Sequence, residues 1–168
     1  MRITFDRFVA GVIIIQPCRV CSFFRDIDSW GYEMTTIDAE LTKSLYTLAC
    51  YAAGRTDVAE EMTRETLVHT LLNRKTAEAF ELYARWLYLE GKQMLERQPG
   101  MLGDYSSIGS HQIGTRILVE MDYDERFLLL LRFRHGLPIR EASDILGMSL
   151  PTAQRTMQKA MSRMRVIS

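Results

Sequence analysis

Cysteine is scarce in this chain: Cys18, Cys21 and Cys50 are the whole set in 168 residues. An odd, sparse set argues against a disulfide-stapled scaffold and suits a reducing compartment, and a chain of this length buries enough apolar surface to fold without staples. Cys18-Arg-Val-Cys21 has the spacing of half a zinc site, but no second Cys/His pair lies close by, and a closed structural site wants four ligands. No metal is expected. Net charge is missing too. Lys+Arg and Asp+Glu both number 21, so no overall basic field draws the molecule to nucleic acid, and any such affinity has to come from a local patch. The apolar run at residues 8–15 is too short to span a bilayer, Asp6 interrupts its basic leader, and no small-residue cleavage site follows it. The run reads as neither signal peptide nor anchor, which predicts a cytoplasmic protein without a membrane partner. No carboxylate pair, nucleophile constellation or phosphate loop stands out, so neither an enzyme nor a cofactor is expected. No stretch alternates like a strand.

What remains is helix. From Ile37, Leu41, Leu45 and Leu48 recur at three- and four-residue steps, which places them on one buried stripe; Asp38 can cap this helix and Gly54 ends it. Val58, Met62, Thr66 and His69 continue the period through a second helix to Leu72, and Phe80, Tyr83, Leu87 and Met94 mark a third, from Thr76 to about Arg97. Gln98-Pro99-Gly100 stops it. Between Gln98 and Gly114 lie Pro99, Gly100, Gly103, Gly109 and Gly114 with Ser106, Ser107 and Ser110, a composition that reads as a linker. Phe127, Leu128 and Leu131 then form a strongly apolar helix ending at His135-Gly136, followed by short helices at 138–146 and about 150–164. The expected class is all-α: two small helical domains joined by a Gly/Ser-rich linker. The boundaries are an N-terminal arm at 1–33, a first domain at 34–98, the linker at 99–119 and a second domain at 120–168.

The second domain has the parts of a helix-turn-helix in order. Ser143 is small enough for the helix crossing, Gly147 can take the positive φ of the turn, and Ser149 can cap the second helix, where Pro151 occupies the harmless first turn. From Leu146 onward the chain carries Arg155, Lys159, Arg163 and Arg165 and no acid. Helical spacing puts Gln154, Arg155, Gln158 and Lys159 outward and Ala153, Met157 and Ala160 inward. Arg pairs bidentately with guanine and Gln with adenine, so the early exposed positions suit a major-groove edge, while Lys159 and Arg163 suit phosphates. An ordinary solvated basic helix is the alternative for the same residues.

The run Asp124-Glu125-Arg126-Phe127-Leu128-Leu129-Leu130-Leu131 through Glu141-Ala142-Ser143-Asp144-Ile145-Leu146-Gly147-Met148-Ser149 resembles the promoter-reading C-terminal domain of extracytoplasmic-function, sigma-70-like sigma factors. Upstream, Gly54-Arg-Thr-Asp57-Val-Ala59-Glu60-Glu61-Met62-Thr63-Arg64-Glu65-Thr66-Leu67 is similar to that family's polymerase-clamp helix, and Trp86-Leu87 stands where the family has its "W-L" start. The resemblance implies a sigma-factor-like initiation factor with core RNA polymerase and promoter DNA as partners, an anti-sigma protein as a further one, polymerase contacts at Glu61, Arg64 and Glu65, and DNA contacts at Thr152, Gln154, Arg155, Gln158, Lys159 and Arg163. The chain also departs from the family. Pro151-Thr152-Ala153 follows the cap in place of Gly-Thr-Val and Arg155 is displaced by one, so base preference does not transfer, and Glu90, Gln93 and Glu96 alter the segment that would hold melted promoter DNA. Two other readings stay open: a sigma mimic that binds an anti-sigma protein, and an ordinary helix-turn-helix repressor.

Overall fold

The computed structural model describes residues 39–72, 80–97, 100 and 117–167, and among them every regular element is helical. The expected arm at 1–33, Asp38, Cys18, Cys21 and most of the expected linker lie outside the described residues. Six helices of eight residues or more follow in order: α1 Ala39–Ala53, α2 Thr56–Leu72, α3 Phe80–Arg97, α4 Tyr123–Phe133, α5 Ile139–Leu146 and α6 Leu150–Ile167, with a short helical turn at 117–119 before α4.

Leu45, Leu48, Ala49 and Ala52 turn α1 inward, and Gly54 ends it at φ 80°, its N–H bonded to the Cys50 carbonyl at 2.9 Å. That left-handed position is where a side chain would be strained. Helix α2 buries three threonines, Thr63, Thr66 and Thr70, which an apolar interface would normally reject. Each donates its hydroxyl to the carbonyl four residues earlier, at 2.7, 2.8 and 2.7 Å, so no polar group is left unmet. In α3, Tyr83, Leu87 and Met94 are buried as their spacing predicts, joined by Ala84, Tyr88 and Gly91.

Helix α4 is apolar on nearly every side, and all residues from Glu125 to Leu131 are buried. A helix of that kind has to be enclosed. It is flanked by α1 on one side and by α5 and α6 on the other, while α5 also packs on α3. The helices expected to form two domains therefore contribute to one hydrophobic core. Tyr88, Tyr123 and Phe127 form an aromatic triangle at this junction, with ring centroids 5.3 to 5.7 Å apart, and Phe80 stacks on His135 at 4.5 Å. On α3, Tyr83 and Tyr88 are core residues, and Trp86 lies against His69 at 3.9 Å. No helix among the described residues is long and apolar enough to cross a membrane.

Candidate nucleic-acid interface

Helices α5 and α6 form the helix-turn-helix. Ser143 is 1% exposed at the crossing, and its hydroxyl donates to the Arg140 carbonyl at 2.6 Å, so a small polar residue sits in the interface without an unmet group. Gly147 takes φ 65°, and the Met148 N–H returns to the Ser143 carbonyl at 2.9 Å, a closure that needs a left-handed residue at this position. Ser149 caps α6: its Oγ accepts the Thr152 N–H at 3.3 Å and lies 2.8 Å from the Thr152 hydroxyl. Ala153, Ala160 and Met164 face the core, with Met157 half-buried beside them.

The six residues assigned to DNA by sequence fall into two groups. Gln154, Arg155 and Gln158 are exposed on the first half of α6, beside the half-buried, cap-bonded Thr152. Among the described residues Arg155 is held only by a long 3.4 Å contact from Nε to the Pro151 carbonyl. Lys159 and Arg163, expected on phosphates, are engaged inside the molecule. Lys159 Nζ lies 2.8 Å from Asp122 Oδ2 and 2.7 Å from Glu125 Oε1. Arg163 Nε lies 3.6 Å from Glu125 Oε2, and its Nη1 donates to the Glu120 carbonyl. The Asp122 carboxyl is held below the usual carboxylate range, first by its hydrogen bond from Lys159, and the same bond raises Lys159.

Glu125 is the residue that sequence reasoning missed. Its side chain is only 2% exposed, and it also accepts the Asp122 N–H at 3.1 Å, closing the first turn of α4. The signal was faint: an acid three residues after an Asp reads as a cap, and nothing local says that its free oxygen meets α6. The intervening residues of the same turn face elsewhere. Asp124 accepts the Tyr88 hydroxyl at 2.9 Å and pairs with Lys92 at 2.7 Å, which helps burial push the Tyr88 phenol up.

Glu61, Arg64 and Glu65 lie together on the outer face of α2, between 43 and 50% exposed, with Arg64 3.3 Å from Glu65 and 3.9 Å from Glu61. Pairs this open contribute little to stability. Among the described residues no group of His, Cys, Asp or Glu could hold a metal ion, and the Cys50 thiol is buried in the core and pushed up to about 12 by desolvation.

Residues 115–164 match the family "Sigma-70, region 4". No curated protein matches the chain. Among solved structures it is similar to the sigma factor RpoE in complex with the anti-sigma factor NepR from Bartonella quintana, with a TM-score of 0.57 and 15% identity over 76% of this chain and 91% of that one. The C-terminal helices thus match sigma-70 region 4, and the chain shares its fold with that solved sigma factor.

Proposed function

We propose that the protein is a transcription-initiation factor of the extracytoplasmic-function type, which binds core RNA polymerase through its N-terminal helices and reads an upstream promoter element with α6. The observation that carries this reading is the face of α6. A complete helix-turn-helix presents Gln154, Arg155 and Gln158 outward from a helix whose sequence contains no acid. Gln and Arg are the side chains best able to make paired hydrogen bonds to adenine and guanine edges in the major groove. Glu61, Arg64 and Glu65, clustered and accessible on α2, are the proposed polymerase contacts. The domain plan is a polymerase-binding unit at 34–98 and a DNA-reading unit at 120–168.

An anti-sigma protein is the proposed third partner, supported by the solved relative, a sigma factor captured with its anti-sigma factor. A plain repressor has no need of helices α1 to α3, whose arrangement is shared with that sigma factor. The test is direct: purified protein should shift core polymerase on a native gel and direct specific transcription from a promoter of its own genome. Failure of both, together with capture of an anti-sigma protein, would favour the mimic.

A further inference from the structure

The same two cations expected on DNA phosphates are the ones that the structure spends internally. Lys159 and Arg163 are one helical turn apart on α6, and Asp122 and Glu125 are one turn apart at the start of α4. Two positive and two negative groups meet across the α4/α6 crossing, with contacts of 2.7 to 3.6 Å. Glu125 is nearly inaccessible, so its charge is compensated from α6 and not by water. A buried carboxylate deprived of its partner is costly, which makes the pairing hard to give up in favour of a solvated phosphate. Resting on the DNA-reading role proposed above, we infer that Asp122 and Glu125 are positioning residues for that reading: they fix the seating of α6 and keep Lys159 and Arg163 off the phosphate backbone. Discrimination then passes through Arg155 and its exposed neighbours, and the second half of α6 contributes little to counterion release.

The inference reverses an ordinary expectation for a basic recognition helix. A lysine on a phosphate releases a counterion, and its removal flattens the dependence of log K on log salt by about 0.9. A lysine held by two carboxylates leaves that slope where it was. The test uses full-length protein, mixed-sequence duplex DNA and the best duplex recovered by in vitro selection, titrated over a range of salt. Lys159→Gln should leave the salt slope at the parent value while lowering the melting temperature. The double variant Asp122→Asn with Glu125→Gln keeps both capping groups, since Asn and Gln serve in those positions, so it should fold. It frees Lys159 and leaves Arg163 only its bond to the Glu120 carbonyl: its slope should steepen by about one unit or more, and its preference for the selected duplex over the mixed one should fall. Glu40→Gln with Glu81→Gln, exposed acids on α1 and α3, makes the same change in net charge and should leave the slope unaltered.

A slope flattened by about one unit in Lys159→Gln would overturn the inference and restore Lys159 to the phosphates. So would an unchanged slope in the Asp122/Glu125 double variant. A parent protein that binds neither duplex would overturn the DNA-reading role as well, so the two failures are distinguishable.

Discussion

Tyr123 fills the space that a side chain at Gly91 would need. A Cβ there would come within 2.6 Å of the Tyr123 ring carbon Cζ, closer still to its hydroxyl oxygen, and within 2.8 Å of Met62 Cε. Helix α3 thus lets α4 approach through a missing methyl group.

Gly91→Ala should therefore destabilise the protein by about 1–3 kcal/mol, the usual range for overpacking. The sign is the informative part, because replacing glycine by alanine inside a helix otherwise gains about 1 kcal/mol. Adding Tyr123→Phe should restore part of the loss, since the hydroxyl is the nearest obstacle. Urea denaturation of the two single variants and the double would show this as non-additivity; purely additive effects would refute the contact.

Phe127 is fully buried where α4 meets α3, edge-on to the Tyr88 ring. Phe127→Ala should cost about 3–5 kcal/mol. If the helices share one core, the loss should appear as a lowered single transition, with far-UV and near-UV circular dichroism coinciding. Two separated transitions, with only the later helices affected, would mean that the two sets fold independently.

His135 stacks on Phe80, and burial, aided by Arg134, holds its pKa down to about 4 from an ordinary 6.5. A histidine depressed in the folded state stabilises above its unfolded pKa. That contribution is fully present above about pH 6.5, declines as pH falls towards 4, and is exhausted below it. His135→Phe keeps the stack and removes the proton site, so the melting-temperature difference between parent and variant should change across that window and be flat on either side. A constant difference from pH 7 to pH 4 would count against the assignment.

Arg155→Ala should leave the melting temperature unchanged and cost roughly 1–3 kcal/mol in binding to a selected duplex, with relaxed preference at one base pair. Competition by duplexes substituted at each position would measure it. Equal weakening on all sequences would demote Arg155 to a phosphate contact.

Much of this was legible in the sequence because it is local. The period of Leu45 and Leu48, the stop at Gly54, the turn at Gly147 and the cap at Ser149 each depend on residues within a helical turn of one another. The α4/α6 brace was not legible, since Lys159 and Asp122 are 37 positions apart and an exposed-looking lysine carries no mark of its partner. The five apolar residues from Phe127 to Leu131 did announce a helix enclosed on all sides.

The first turn of α4 answers to two neighbours at once. Asp122 and Glu125 hold α6, while Tyr123 and Asp124 hold α3. Drawing α3 away would strip two of four consecutive residues of their partners and loosen the turn on which Glu125 depends, so the tilt of α6 would no longer be fixed. Thermodynamic linkage makes this reciprocal: a ligand that prefers one setting of α6 changes the association of α3 with α4 by the same factor that parting α3 from α4 changes the affinity for that ligand.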